Sequence, residues 1–203
     1  MDLDNLSNIQ LDALKEVSNI GAGNAATALS MMLGKKIDMT VPSVNMIKLS
    51  EMYNDEAESL VCGIVVRVLG DIQGNILIIF KDSVAHDIVE MLTGVRENEL
   101  SDLGDSALCE IGNILSGSYM NAITQFTGLC VIPSVPAVAH DMLGAILATT
   151  FVESGQYDEN ILDIETVFSD ELNSNIGAHF YYIPVPGSFE KILKSIGVYL
   201  FGG

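Results

Sequence analysis

An internal repeat is the feature that most constrains how this chain of 203 residues can fold. When the sequence is aligned with itself at an offset of 94 residues, six positions of the segment 12–42 fall on six positions of 106–136. The matched pairs are Asp12/Ser106, Glu16/Glu110, Asn19/Asn113, Gly23/Gly117, Gly34/Gly128 and Pro42/Pro136. A repeat of this kind predicts two similar structural units that bury their apolar faces against each other.

The repeat predicts one domain over 1–203, made of a first repeat at 1–95 and a second at 105–203, joined by the acidic segment 96–105. We expect the second repeat to carry an inserted helix at about 141–153, with Asp141 as its N-cap. The expected fold class is α/β (α+β). A mixed, largely antiparallel sheet packs against two long central helices that are related by a pseudo-twofold axis.

Local patterns place the individual elements. Apolar periodicity predicts a first long helix from about Ser7 to Leu33, capped by Ser7 or Asn8 and ended by Gly34, and a second from about Ser106 to Phe126. Alternation, turn residues and caps predict the others. These are strands at Val41–Ile47, Leu60–Leu69, Ile76–Phe80, Ser134–Ala139, Ile161–Phe168 and Ala178–Pro184, a helix Val84–Leu92 capped by Asp82, and a helix Phe189–Ile196 stopped by Gly197.

Charge and apolar content exclude several classes of protein. The chain has 9 basic and 27 acidic residues, a net charge of −18, which opposes binding to nucleic acid or to anionic lipid. The uncharged runs Val17–Gly34 and Ile111–His140 contain Asn, Ser, Thr and Gly, so they are better interpreted as buried helices than as membrane spans. The N-terminus resembles no secretory signal. The three cysteines are typical of buried thiols in a reducing compartment, so we expect a cytoplasmic protein.

Common catalytic and cofactor motifs are missing. His86, His140 and His179 are scattered, the cysteines lack metal-ligand spacing, and no P-loop or nucleophile elbow occurs, so we expect no metal and no cofactor of its own. The segment 21–26, GAGNAA, superficially matches the dinucleotide fingerprint. That fingerprint needs a preceding strand and an acid about 20 residues later. Small residues that let two helices approach closely explain the segment better.

The repeated polar residues are the candidates for chemistry. Glu16 with Asn19, and Glu110 with Asn113, lie three residues apart and therefore share one face of a helix. A single pair could be ordinary surface residues, but Asn is a mediocre helix former, and its repetition indicates that the amide is used. An amide can hold a water molecule by hydrogen bonds, and phosphoryl transfer needs an attacking water to be oriented in this way. The glutamate could bind a basic residue of a partner.

The complete motif, [Asp/Ser]-x-x-x-Glu-x-x-Asn followed after 22 residues by Pro, resembles that of the CheC family of chemotaxis phosphatases. The resemblance covers essentially the whole chain, including the NIGAGNAATA helix, the Gly70–Gly74 hairpin and the IPVPG segment. The wider group includes CheX, which has one motif, and FliY, which has an additional flagellar-switch domain. The chain is less similar to CheX because it has two complete motifs, and we expect no room after Phe189 for the additional domain of FliY, so it is most similar to CheC.

The resemblance implies a substrate, partners and roles for the site residues. The substrate would be phosphorylated CheY, whose aspartyl phosphate is hydrolysed when Asn19 or Asn113 orients a water in its active site. Glu16 and Glu110 would contact a lysine of CheY, and CheY would supply the magnesium ion. Asp12, Ser106, Pro42 and Pro136 would complete the motif. The receptor deamidase CheD would bind at the inserted helix near Asp141, and we expect a monomer because the repeat already supplies the twofold symmetry.

Two other interpretations stay open at this point. The first is a non-enzymatic adaptor that binds CheD and phosphorylated CheY and acts by occupancy. The second is a scaffold in which the repeat is only structural. The phosphatase hypothesis is favoured because both Glu/Asn pairs are intact, and neither alternative needs them.

Overall fold

The computed structural model describes residues 6–48, 51, 57–96, 99–154, 160–170 and 175–196. The described elements are five helices and seven strands. In chain order they are α1 (Asn8–Leu33), β1 (Ile37–Lys48), β2 (Leu60–Gly70), β3 (Gly74–Lys81), α2 (Asp82–Thr93), α3 (Asp102–Thr127), β4 (Val131–Pro133), β5 (Ala137–Met142), α4 (Leu143–Ser154), β6 (Asn160–Asp170), β7 (Asn175–Pro184) and α5 (Ser188–Ser195).

All seven strands belong to one sheet in the order β1-β6-β7-β3-β2, and β4 and β5 both pair with the outer edge of β2. Every pairing between these strands is antiparallel. The predicted class, a largely antiparallel sheet packed against two long helices, is therefore confirmed. The described pairings contain no parallel pair, so the sheet is more regular than the mixed one expected.

The two halves of the chain exchange strands. β1 from the first half pairs with β6 from the second, while β2 pairs with β4 and β5. Moved by the repeat offset, the range of β1 becomes 131–142, which is the span from the start of β4 to the end of β5. The strand order is thus the same when it is counted from either edge of the sheet, provided that each strand is replaced by the matching strand of the other half of the chain. Neither half completes its own part of the sheet alone.

The sheet has a different helical layer on each face. Residues of α1, α2, α3 and α5 share one apolar core with alternate residues of β3, namely Ile76, Ile78 and Phe80. The intervening residues Leu77 and Ile79 belong to a second core, which contains residues of α4. Because strand side chains alternate between faces, the two long helices lie on one side of the sheet and the inserted helix lies on the other.

The long helices α1 and α3 cross where a glycine of α1 packs against a tyrosine of α3. A Cβ atom on Gly21 would lie 2.9 Å from Cδ1 of Tyr119 and 3.1 Å from its Cα. Tyr119 is fixed there because its ring stacks on Phe180 at a centroid distance of 4.3 Å and its hydroxyl lies 3.1 Å from Oγ1 of Thr166. The prediction that this glycine permits close helix packing is confirmed. Gly23 has no atom within 4 Å of the equivalent position, so the prediction is wrong for that residue.

Helix α1 begins and ends as its sequence predicts. Ser7 and Gln10 form a capping box, and Gly34 ends the helix at φ 63°, in the left-handed region that favours glycine. Helix α3 begins at Asp102, four residues before the predicted Ser106, and Ser101 is its N-cap. Acidic residues are stabilising in the first turn of a helix, so part of the segment predicted as a polar joint is helical.

Three local predictions were wrong. Asp82 is the first residue of α2, whose N-cap is Lys81. The strand predicted at Ser134–Ala139 is split into β4 and β5. Asp141 lies in β5, opposite Val61, and does not cap α4. Its carboxylate accepts a 2.7 Å hydrogen bond from the backbone N–H of Met142, while the first N–H groups of α4 donate to carbonyls of residues 57 and 59. The predicted stop at Gly197 lies outside the described residues.

The three cysteines have different environments. Cys62 is fully buried, and that burial, together with the charge of Asp105, raises the pKa of its thiol from 9.0 to about 12. Cys109 is partly buried, and its pKa is also raised by desolvation. Cys130 is exposed, so the prediction of three buried thiols is wrong for this residue.

The raised pKa of Cys62 predicts a loss of stability at alkaline pH. The folded protein keeps the Cys62 proton at pH values where the unfolded thiol has lost it, so the free energy of unfolding falls as the pH rises above 9.0 toward about 12. We expect this residue to contribute about 2 kcal/mol of the loss between pH 9 and 11. Urea unfolding at several pH values measures it. An identical pH dependence in Cys62→Ala would contradict the assignment.

The described part of the chain contains neither a membrane-spanning helix nor a cluster of metal-ligating side chains. None of the helices there has both the length and the apolar content that crossing a bilayer requires. No group of three or more His, Cys, Asp or Glu side chains there could hold a metal ion.

Candidate functional site

The first Glu/Asn pair lies on the outer face of α1. Asp12, Glu16 and Asn19 are all exposed, and the spacing of four and three residues places them in one stripe along the helix. The opposite face, which includes Leu14 and Val17, is buried against the sheet. The helix is held by its packing, so the two polar side chains are presented to solvent on a rigid element.

The second pair has the same arrangement on α3. Ser106, Glu110 and Asn113 are exposed and form the corresponding stripe. The hydroxyl of Ser106 donates a 2.7 Å hydrogen bond to the carbonyl of Asp102, one turn earlier in the same helix. Ser106 therefore lies inside the helix and does not cap it. Asp12 also lies inside its helix, because the N-cap of α1 is Ser7.

Among the described residues, no neighbour holds any of the four Glu and Asn side chains in place. The structure gives no hydrogen bond or ion pair between these side chains and any described residue, whereas Ser18 and Ser116 on the buried faces bond to helix carbonyls. Both amides and both carboxylates are thus free to bind a partner. Their hydrogen-bonding capacity is met by water until a partner arrives.

Each motif proline is tied to the helix that carries the corresponding pair. The ammonium group of Lys15 donates to the carbonyl oxygen of Pro42 at 2.8 Å. Its counterpart in the second repeat, Cys109, places its Sγ 3.7 Å from the carbonyl oxygen of Pro136. Although the side chains differ in chemistry, the same helix position contacts the same proline carbonyl in both repeats. These two contacts link the backbone at each proline to the helix beside it.

The backbone at the prolines is irregular in both repeats. The pairing of β1 with β6 shifts register between Thr40 and Ser43, next to Pro42. At the equivalent point of the second repeat, residues 134–136 separate β4 from β5. Proline has no N–H to donate to a ladder, so it is tolerated at such breaks. The break brings the chain close to the helix: a Cβ on Gly112 would lie 3.3 Å from Cβ of Pro136.

The two sites differ in charge. Lys15 stands next to Glu16 in the first site, whereas Cys109 takes its place next to Glu110. The second site also lies close to Asp105, whose carboxylate is 2.7 Å from Nε2 of His140 on β5. The first site has a carboxylate at Asp12, where the second has Ser106, but Lys15 offsets that charge and no lysine stands beside Glu110, so the first site is slightly less acidic than the second.

The two helices run antiparallel, which sets the relation between the sites. Leu14, near the start of α1, lines a small cavity with Ile123 and Thr127 near the end of α3. Leu33, at the end of α1, lines another cavity with Ile111 near the start of α3. Since each Glu/Asn pair precedes the crossing on its own helix, the two pairs lie on opposite sides of that crossing. The structure brings each pair together and keeps the two pairs apart.

The exposed stripe of α1 extends beyond the pair. Gly23, Asn24 and Thr27 are exposed, although the stretch was expected to be covered on several sides. Because this run has no charged residues, the sequence did not indicate that one side of it, made of small and polar residues, faces solvent. Helical periodicity is the signal that could have revealed this exposed side. It places these residues on the side of the helix away from the buried positions Ala22, Ala25 and Leu29.

Comparison with known proteins identifies the family. A model of the CheC-like family matches residues 9–46 and again residues 103–140. The chain is 36% identical over 199 residues to the CheY-P phosphatase CheC of Bacillus subtilis, covering 94% of this chain and 95% of that protein. The chain belongs to the CheC-like family.

Two further relatives share part or all of the fold. The flagellar motor switch phosphatase FliY of Bacillus subtilis is 33% identical over 127 residues, which covers 61% of this chain and 33% of that protein. The crystal structure of Thermotoga maritima FliY superposes with a TM-score of 0.80 at 22% identity, covering 95% of this chain and 98% of the other. At that identity the second similarity concerns the fold alone.

Proposed function

We propose that this protein is a phosphatase that hydrolyses the aspartyl phosphate of phosphorylated CheY. The observation that carries the proposal is the pair of exposed, unengaged Glu/Asn motifs at equivalent positions of two packed helices. The 36% identity to a protein named CheY-P phosphatase CheC extends over 94% of the chain and supports it. A rigid helix is the kind of element on which a positioned catalytic side chain is expected.

In the proposed mechanism, the helix docks against phosphorylated CheY and inserts Asn19 or Asn113 beside the phosphoryl group. The amide holds a water in line with the phosphorus–oxygen bond to be broken, which is the main requirement of phosphoryl transfer to water. The oxygen of the attacking water bonds to phosphorus as the bond to the aspartate breaks; the aspartate of CheY leaves as a carboxylate, and the protons of the water pass to the inorganic phosphate and to solvent. Glu16 or Glu110 binds a lysine of CheY through a charge-assisted hydrogen bond. The magnesium ion that neutralises phosphate charge belongs to CheY.

We also propose that CheD binds at α4. This helix packs on the face of the sheet opposite the two motif helices, so a protein bound there would leave both Glu/Asn pairs accessible. Asp141 is exposed at the end of the strand that leads into α4. Its carboxylate is partly occupied by the N–H of Met142, which leaves one oxygen for a partner.

The decay of phosphorylated CheY, timed with and without the protein, tests the proposed activity. We expect a catalytic amount of this chain to accelerate the release of inorganic phosphate. The adaptor alternative predicts binding of CheY without any acceleration. A decay curve that does not change with added protein would therefore exclude the phosphatase and leave the adaptor, if CheY binds, or the scaffold, if it does not.

The glutamates are expected to contribute affinity rather than chemistry. In the double variant Glu16→Gln and Glu110→Gln, the contact to the lysine loses its charge, and we expect KM to rise about tenfold with kcat changed less than about threefold. Raising the salt concentration should narrow the difference from the wild type, because salt screens the lost interaction. Steady-state phosphate release at several CheY concentrations measures both constants. A fall in kcat with KM unchanged would assign the glutamates to the chemical step.

A further inference from the structure

Two large aliphatic side chains are exposed at the same position of the repeat. Ile9 is 70% exposed and Leu103 is 62% exposed. Each is the second residue of its helix, following an N-cap serine by two positions. Each also precedes the motif glutamate by seven residues, two helical turns, and so lies in the same exposed stripe as Glu16 or Glu110.

Local structure gives no reason for aliphatic residues at these positions. The first turn of a helix favours acidic and small polar residues, which interact with its dipole and its free N–H groups. Isoleucine is also a weaker helix former than alanine and the straight-chain residues, because its branched side chain loses rotamer freedom. Ser7 and Ser101 already accept hydrogen bonds at the two helix starts. Neither helix needs Ile9 or Leu103 to begin where it does.

Other exposed apolar residues on these helices have a different explanation. Met31 is 81% exposed, but its counterpart is Gln125, so the feature is not repeated. Met32 and Phe126 are counterparts, yet each follows by seven residues a position buried between the helices, Ala25 or Tyr119. They therefore continue the side of the helix that faces its neighbour.

We propose that Ile9 and Leu103 are apolar anchors for phosphorylated CheY. Each would enter an apolar depression on that partner, about 10 Å along the helix axis from the contact made by Glu16 or Glu110. This inference rests on the proposed function and defines the interface of the same two sites. A standard interface of about 800 Å² on each partner is wide enough to contain the anchor, the glutamate and the asparagine.

The charge of the protein is consistent with an apolar contribution to binding. A chain with a net charge of −18 gains no long-range attraction toward a partner surface that carries a phosphate and the carboxylates that bind magnesium. The free energy gained when one large aliphatic side chain is buried in an interface does not depend on that charge. Removal of such a side chain from an interface typically weakens binding by about tenfold or more.

The test isolates one site at a time. In an Asn113→Ala background only the first site is active, and adding Ile9→Ser is expected to raise KM for phosphorylated CheY about tenfold with kcat changed less than about twofold. Leu103→Ser in an Asn19→Ala background should behave in the same way. The control is Met31→Ser in either background, an exposed apolar residue of α1 that should leave KM unchanged. Because Ile9 and Leu103 are exposed, the urea midpoint should not fall.

A second measurement separates this inference from the proposed function. CheY activated with beryllofluoride, a non-hydrolysable mimic of the phosphoryl group, is titrated with the wild type and with the Ile9→Ser, Leu103→Ser double variant. A roughly tenfold weaker affinity of the double variant supports the anchors even if the wild type proves to have no phosphatase activity. An unchanged affinity and KM overturn the inference. It is also overturned if the wild type is a dimer by sedimentation and the substitutions only convert it to a monomer, because the occupant is then a second copy of the chain.

Discussion

The double variant Asn19→Ala, Asn113→Ala is expected to lose the acceleration of phosphorylated CheY hydrolysis by about a hundredfold or more, a loss typical of removing one positioned polar group from a transition state. Alanine cannot hold the attacking water. No other amide side chain lies at the position of Asn19 or Asn113 along the exposed stripe of either helix. The measurement is phosphate release under single-turnover conditions with the protein in excess over phosphorylated CheY.

Two controls make this result specific to the amides. Affinity for beryllofluoride-activated CheY should change by less than about threefold, because the glutamates and the rest of the surface remain. Asn24→Ala removes an exposed amide from the same helix outside the motif and should leave the rate unaltered. If the double variant retained most of the acceleration, the amides would not be the water-positioning groups.

The variant Gly21→Leu is expected to destabilise the fold by about 1 to 3 kcal/mol, the range typical of overpacking in well-packed cores. Even a Cβ at this position lies 2.9 Å from the ring of Tyr119 and 3.1 Å from its Cα, and a backbone atom cannot move aside like the end of a flexible side chain. The two long helices would have to separate. Urea unfolding, with the change taken from the midpoint at constant slope, measures the effect.

Gly23 provides the matched control two residues further along the same helix. An added Cβ meets no atom within 4 Å there, so Gly23→Ala should stabilise the protein by about 0.5 to 1 kcal/mol through helix propensity alone. We thus expect changes in the free energy of unfolding of opposite sign at two glycines of one helix. Equal effects at both positions would show that close packing against Tyr119 does not limit the separation of α1 and α3.

Elements determined by local chemistry were predictable from the sequence. The start of α1 at Ser7 and its end at Gly34 follow from a capping box and a left-handed glycine, which need only neighbouring residues. The start of α3 was missed because Asp102 and Asp105 resemble a polar linker in composition. In the fold those residues occupy the first turn of a helix, where acidic side chains are favourable.

The pairing of strands was not predictable in the same way. Alternation identifies β1 and β6 as strands, but no local signal says that they pair with each other across the two repeats. That pairing depends on the closure of the whole sheet, in which a strand from each half lies beside strands of the other. The break between β4 and β5, where Pro136 lies close to α3, is likewise not apparent from the apolar alternation of 134–139.

The candidate site was predictable to the extent that it is helical. The three-residue spacing of each Glu/Asn pair fixes a common face, and the structure exposes that face in both repeats. The contacts of Lys15 and Cys109 with the proline carbonyls were not predictable, because an ammonium group and a thiol have no shared pattern in sequence. The exposed positions of Ile9 and Leu103 required the structure, since aliphatic residues near a helix start are usually expected to be buried.

The central claim is that one scaffold presents two water-positioning sites, and the decay of phosphorylated CheY with the single variants Asn19→Ala and Asn113→Ala tests it most directly. Because the two pairs lie on separate helices and on opposite sides of their crossing, each single variant should keep the activity of its intact site, and the two remaining activities together should equal that of the wild type. A single substitution that removes all acceleration, or two single variants that each retain the full wild-type rate, would contradict the claim.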